Sequence, residues 1–426
     1  MTVGRALSPT RTHTYIYTLT HAHCIYSYTK THTHTQYTKF DRDILQIKIL
    51  TKARAFDAAI DFYQYGYNVV SGDELNIIDS LKQLATAPSR SRATVQYNLF
   101  SNFFNSPDYA DKMVNDLLNL RAPYDKLTTD QTMRMVTGTL QFSVMYMAIL
   151  DRLYSAISKC REGEGVEDSE SIVNTSVQLL DQAAAQYIGS IEGSDPGGRA
   201  AGQLLFGSSK ELCTNFDTCI ELGNSETNDQ VIDAFKDISN KLTLGNCDAV
   251  EEAVENDVTP LLIVPLIQGA LYTAVALDKP DVSADDDMRG LSQAYADSLL
   301  PLLDNVDDTS TFDIEQNLVY RADSDPVPDG ANAVFAAFQT IIPKMQVPPL
   351  GAKCSTIGTY QSPDTVYANV CQLVDGGTRV PTVPLGAPTV PPTPAPLQPI
   401  AQEPVIPSLS DLGLGVYNFT TNVGAM

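Results

Sequence analysis

The chain contains no tryptophan, and its five histidines (His13, His21, His23, His32 and His34) all fall in the first forty residues. Beyond them there is no imidazole. That absence excludes Ser–His and Cys–His catalysis, His-ligated zinc and the commonest general base. No CxxC, no GxGxxG and no P-loop occurs either. The run from Gly202 through Gly207 to Lys210 has a P-loop's glycines and lysine but not its Gly-Lys-Ser/Thr order, and no strand pattern precedes it. Catalysis would have to rest on carboxylates alone, for example on glycans, so a binder is expected rather than an enzyme. Basic residues are scarce too: 28 Lys and Arg stand against 51 Asp and Glu, a formal charge of −23. A surface of that sign repels nucleic acid and anionic membranes. It suits solubility, or the gathering of cations.

There are seven cysteines. Cys24 lies in a segment unlike the rest. The other six, Cys160, Cys213, Cys219, Cys247, Cys354 and Cys371, form an even set without metal-ligand spacing. They predict three disulfides and an oxidising compartment. Connectivity is not fixed by sequence; the shortest loops would pair Cys213 with Cys219 and Cys354 with Cys371. Sequons at Asn174 and Asn418 agree with a secreted glycoprotein.

The two ends differ from the middle. Residues 1–45 are dominated by Thr, His and Tyr, with the alternation Thr31-His32-Thr33-His34-Thr35. A translated CA repeat reads this way, so the segment is expected to be disordered or an artefact of the coding sequence; a His-rich metal tract is the alternative. It has no basic start, apolar run and cleavage site of a secretory signal. Residues 379–426 are Pro-rich between Pro381 and Pro407, which predicts an extended tail without a core of its own and without a membrane anchor.

The body, residues 50–378, is helical in pattern. Apolar residues recur at helical spacing over Ala53–Val70, Asp73–Leu84, Thr128–Lys159, Ser171–Ile188, Asp229–Leu242, Asp248–Asp278, Met288–Leu303 and Gly330–Lys344. Alternating strand patterns are scarce, so the fold class is all-α, a bundle-like multi-helix array with few or no strands. Val258–Leu277 has membrane-spanning length without a charge, but Pro260, Pro265, Gln268 and Gly269 interrupt it. A buried, Pro-kinked core helix is the reading preferred to a span. A weak echo runs through the body. Met145-Tyr146-Met147-Ala148 precedes a helix with Gln182-Ala-Ala-Ala-Gln-Tyr187, and Leu271-Tyr272-Thr273-Ala274 precedes one with Gln293-Ala294-Tyr295. Two related helical halves facing each other across a cleft, or chance likeness of Ala-rich helices, both fit.

The most distinctive segment runs from Tyr187 through Gly189, Glu192, Gly193 and Asp195 to Arg199. A helix ends on Tyr187 and a Gly-rich loop follows. Tyr187 reads either as a core residue with a hydrogen-bonded hydroxyl or as a ligand. In order along the chain come Ala-Gln-Tyr187-Ile-Gly189-Ser-x-Glu192-Gly, Cys213-x-Asn215-Phe216, Val264-Pro265-x-x-Gln268-Gly-x-Leu271 and Cys354-Ser-x-Ile357-Gly358. This series resembles the algal Fe-assimilating, low-iron-inducible periplasmic proteins, the family that includes the phytotransferrins, over about residues 50–375. The resemblance implies capture of ferric iron, with a synergistic anion such as carbonate, at the cell surface or in a periplasmic space, in concert with an uptake partner. With no histidine in the body, a hard ferric ion would be left to carboxylates and Tyr phenolates, the latter ionised only when a metal holds them. Tyr187 and Glu192 are the first candidate ligands, Tyr272 and Tyr146 the next, and Arg199 the candidate for a synergistic anion. The alternatives are a cell-wall structural or adhesion glycoprotein, suggested by the Pro-rich tail and sequons, and a carboxylate-dependent enzyme.

Overall fold

Among the described residues helix follows helix where the 3.6-residue apolar period was legible, and in several places where it was not; of the helix expected over Asp73–Leu84, residues 73–79 lie outside the described residues. The computed structural model describes residues 37–69, 80–86, 94–165, 170–192, 202–220, 223–279, 287–304, 306–321, 325–346, 354–361, 367 and 370. All belong to one unit of the chain, residues 1–373. In order they form α1 (Phe40–Lys52), α2 (Phe56–Tyr65), α3 (Leu81–Ala85), α4 (Thr94–Phe103), α5 (Tyr109–Leu118), α6 (Thr129–Gly138) and α7 (Met145–Glu162). Then come α8 (Glu170–Ile188), α9 (Leu205–Phe216), α10 (Glu226–Thr243), α11 (Cys247–Ala253), α12 (Thr259–Leu277), α13 (Met288–Leu303), α14 (Asp308–Leu318), α15 (Ala331–Ile341) and α16 (Cys354–Ile357). Among the described residues no strand forms; one isolated bridge joins Cys219 to Ser225. The fold is an all-α, multi-helix array.

Local chemistry sets many of the helix ends. Thr128 and Gln131 close a capping box at the start of α6. Ser225 and Asp307 cap α10 and α14 by accepting from Asn228 N and Ser310 N. The expected helix over 53–70 is shorter, because Arg54 and Gly66 take positive φ at either side of α2. The helices α4, α5, α9 and α14 escaped the periodicity reading: they are short, and the Gly-Ser-Ser start of α9 looks like a loop.

The centre of the core is two long interrupted helices. α6 runs through a π-helical turn, Thr139–Val144, into α7. α11 runs through a second, Val254–Val258, into α12. Pro260 has no N–H to give, and the turn before it widens, with the Thr259 hydroxyl donating to Val254 O at 2.8 Å. α7 packs along α8 and α12 along α13, so the echoed segments are two helical hairpins. The α11–α12 rod is long and apolar enough to cross a membrane by length and composition, but 89% of its apolar window is buried among the other helices. That burial is what a core helix needs. Gly138 and Gly290 bring α6 and α13 together: a Cβ on Gly138 would overlap that of Ala294, and one on Gly290 the Gln131 carbonyl.

Two disulfides are present among the described residues, Cys213–Cys219 as the short loop predicted and Cys160–Cys247 tying α7 to α11. Cys371, the expected partner of Cys354, lies outside the described residues, as do Cys24, Asn418 and the Pro-rich tail. Asn174 is exposed on α8. The boundary expected at residue 45 needs correction. Tyr37, Phe40, Ile44 and Ile47 are buried in the core, so the folded body begins at least as early as residue 37. The Thr/His/Tyr bias stops at that point, and an amphipathic period starts inside the segment it seemed to mark.

Candidate functional site

The four candidate ligands divide into two pairs. Tyr187 is fully buried at the end of α8, between the edges of Phe206 and Phe235, and its hydroxyl donates to Asn228 Oδ1 at 2.7 Å. Burial pushes its phenol far up, and the hydrogen bond is the one a core tyrosine needs. Tyr146 is fully buried on α7 near Phe100, with no hydrogen-bond partner for its hydroxyl among the described residues. Glu192 and Tyr272, by contrast, line the same cavity. The pairing of Tyr187 with Glu192 is therefore corrected: they are five residues apart in sequence but face different surroundings, because the helix ends between them. Arg199 lies outside the described residues.

The cavity has a volume of about 440 Å³ and lies where α1, α6, the first π turn, α9, α12 and α13 meet. Its cations are Lys48, Arg134 and Lys210; its carboxylates are Glu192 and Glu211; its phenols are Tyr272 and Tyr295. π turns recur at functional sites because they re-aim side chains, and here Gln141 projects from one. Its amide donates to Leu204 O at 3.1 Å and Ser208 Oγ at 2.8 Å, joining the turn to the start of α9.

Tyr295 is held rigidly. Its ring stacks on Phe142 with centroids 4.3 Å apart, and a Cβ on Gly269 would overlap its other side. Only glycine at 269 admits the ring. Burial raises the phenol, Glu211 and Tyr272 push it the same way and Arg134 opposes them. Tyr272 is raised by burial and by Glu211, against Arg134. Arg134 Nε donates to Asp287 Oδ2 at 2.7 Å, and Lys48 Nζ donates to Gln203 Oε1 at 3.4 Å. Burial lowers Lys48, with Arg134 acting in the same direction.

Glu192 lies against two glycines: a Cβ on Gly202 or Gly207 would collide with its carboxylate. Its Oε2 is buried with no hydrogen-bond partner among the described residues. Burial pushes its carboxyl up to about 7, with Lys210 lowering it and Asp41 raising it. A desolvated acid, two phenols and three cations around one space make a receptor for an oxygen-rich ligand that brings both charge and hydrogen-bond acceptors. Among the described residues no three His, Cys, Asp or Glu side chains gather as a metal-ligating group.

The remaining motif residues serve packing. Gln268 Nε2 donates to Ile357 O at 2.8 Å, and Thr359 N and Gln361 N donate to Phe216 O and Asn215 O at 3.0 and 2.7 Å. Gly358 has φ +74°, and a Cβ there would strike the Phe216 carbonyl. Three of the four motifs noted in the sequence thus meet at one knot. No protein-family model matches the chain, and no curated protein or solved structure shows significant similarity to it.

Sequence reasoning missed Lys48, Arg134, Lys210, Glu211 and the role of Tyr295. Tyr295 stood in the echoed Gln-Ala-Tyr segment, and the scarcity of basic residues was a usable signal: Arg134 is the single cation of its otherwise largely buried helix.

Proposed function

We propose that this protein is a non-enzymatic binder that takes ferric iron together with an oxyanion in the cavity, outside the cytoplasm. The observation that carries the reading is the cavity's composition: phenols and carboxylates share one space with three cations in a histidine-free, strongly acidic protein. Tyr272, Tyr295, Glu192 and Glu211 are the oxygen donors suited to a hard ferric ion. Lys48, Arg134 and Lys210 suit the anion, with the Arg134 guanidinium able to fork onto two of its oxygens. The walls carry three cationic and two anionic side chains. A ferric ion, two phenolates and a dianion such as carbonate bring that total to zero, whereas a bare ferric ion with neutral phenols would leave a strongly positive site. The four ordered motifs that resemble the algal iron-assimilation family support the choice of iron, and the two disulfides support an oxidising compartment.

The test is a ferric titration at neutral pH with and without carbonate, reading a visible phenolate-to-iron band. Binding that requires carbonate and is lost in Tyr272→Phe/Tyr295→Phe supports the reading. A band that survives in that double variant defeats the placement. The net positive wall also favours a second reading, capture of a small oxyanion without metal. Calorimetry with inorganic phosphate in the presence of a chelator separates the two.

A further inference from the structure

Asp41, in the first turn of α1, is fully buried. Its Oδ2 accepts the backbone N–H groups of Ser190 and of Ile191, the latter at 2.6 Å. Its Oδ1 accepts the Ser190 hydroxyl at 2.8 Å, and that hydroxyl oxygen accepts Arg42 Nε–H at 2.9 Å. The turn sits directly on the carboxylate: Gly189 has φ +83°, and a Cβ there would lie 2.6 Å from Asp41 Oδ2. One residue beyond this turn, Glu192 enters the cavity. A carboxylate that gathers three donors from successive positions of one turn fixes the direction in which the chain leaves it.

The same helical turn supplies a comparison. Asp43 is equally buried and uses Oδ1 in the same way, accepting Tyr67 N at 3.3 Å, Asn68 N at 3.2 Å and Asn68 Nδ2 at 2.7 Å. The segment it holds, after α2, contributes nothing to the cavity wall. Two carboxylates two residues apart therefore tie down two turns, of which only one carries a cavity residue.

We propose that Asp41 is a positioning residue of the cavity, seating the Gly189–Ile191 turn so that the Glu192 carboxylate stands in the cavity before any ligand arrives. The seat is a property of the ligand-free protein; its effect on affinity rests on the ferric reading above. Asp41→Asn keeps the shape but removes the charge behind all three hydrogen bonds: its amide oxygen can stand where Oδ2 accepts the two N–H groups and its NH₂ group must turn the Ser190 hydroxyl bond round, so each bond falls to neutral strength. In the full chain, Asp41→Asn is expected to speed amide exchange at Ser190, Ile191 and Glu192 at least tenfold and to weaken carbonate-dependent ferric binding at least tenfold. Asp43→Asn is expected to lower the melting temperature comparably while leaving both readouts as in wild type. Ser190→Ala, which removes the hydroxyl's bonds to Asp41 and from Arg42 but keeps both backbone N–H groups on Asp41, covers the case in which Asp41→Asn does not fold; it should shift exchange and affinity severalfold in the same direction. Unchanged exchange at these amides in Asp41→Asn, or in Ser190→Ala if the former does not fold, overturns the proposal. Equal losses of affinity in Asp41→Asn and Asp43→Asn overturn it as well, because the effect would then follow stability alone. Faster exchange in a protein whose wild type binds no ferric iron supports the seat and refutes the iron reading, so the two failures are distinguishable.

Discussion

Tyr187 and Tyr295 are both buried, both packed by phenylalanines and both raised well above an ordinary phenol by desolvation. What separates them is the neighbourhood of the hydroxyl. Tyr187 has a neutral amide, Asn228, at hydrogen-bond distance. Tyr295 borders a cavity with Glu211, Arg134 and Tyr272 as its titratable neighbours. The same residue type on the same kind of helix is thus a structural fastener in one place and a candidate ligand in the other. Burial alone does not distinguish the two; the presence of open polar space does.

The largest change to this comparison should come from Gly269→Ala. In a helix interior the substitution ordinarily stabilises by about 1 kcal/mol. Here the new methyl would enter the Tyr295 ring, and overpacking of that kind costs about 1–3 kcal/mol or more. The clash outweighs the propensity, so the expected outcome is a net loss of about 2 kcal/mol in denaturant unfolding and a loss of ferric binding as the phenol is displaced. Tyr295→Phe comes next: at least tenfold weaker ferric binding in a band titration, with stability changed by less than about 1 kcal/mol, since among the described residues no hydrogen bond of its hydroxyl holds the core. Tyr187→Phe should do the reverse. It strands Asn228 Oδ1 and should cost about 1–2 kcal/mol of stability with no change in affinity. If instead Tyr187→Phe abolished the ferric band and Tyr295→Phe did not, the roles assigned to the two tyrosines would be exchanged.

The contrast also explains what could be read in advance. Long helices with a continuous apolar stripe, such as α7, α12 and α13, declare themselves through periodicity. So does the buried, proline-interrupted rod of α11 and α12, whose lack of charge suits a core as well as a membrane. The sequence could not show which side of a helix end faces open space. Tyr187 and Glu192 looked like one constellation because they flank a Gly-rich turn; α8 ends between them and sends one into hydrocarbon and the other to the cavity. The cavity itself is assembled from residues far apart in the chain, Lys48, Arg134, Lys210 and Tyr295, and no local pattern reports such a meeting. The first turn of α1 was hidden for another reason. Its Asp41 and Asp43 look like ordinary first-turn acids on a helix, and only the three-dimensional packing reveals that both carboxylates are spent on distant turns.

The smallest expected effect sharpens the comparison from within α13. Two residues after Tyr295, Asp297 is buried away from the cavity. Its Oδ1 accepts Gln293 Nε2 at 2.7 Å and its Oδ2 has no partner among the described residues. Burial pushes its carboxyl up to about 7, only partly offset by the Gln293 hydrogen bond. Because the folded value lies above the unfolded one, the folded protein holds an extra proton between about pH 4 and 7. Stability from this group is therefore present at low pH and lost as pH rises through 7, where a charge must form without solvent. Asp297→Asn keeps the acceptor for Gln293 and removes the charge, at the cost of one buried N–H donor. The expected outcome is a loss of about 1 kcal/mol at pH 5, where only the stranded donor counts, and a gain of about 1 kcal/mol at pH 8, measured as paired urea unfolding curves. A polar group beside Tyr295 but without open space before it should thus behave as a stability determinant and leave ferric affinity untouched. Loss of affinity in Asp297→Asn would mean that the site extends along α13 past the cavity wall.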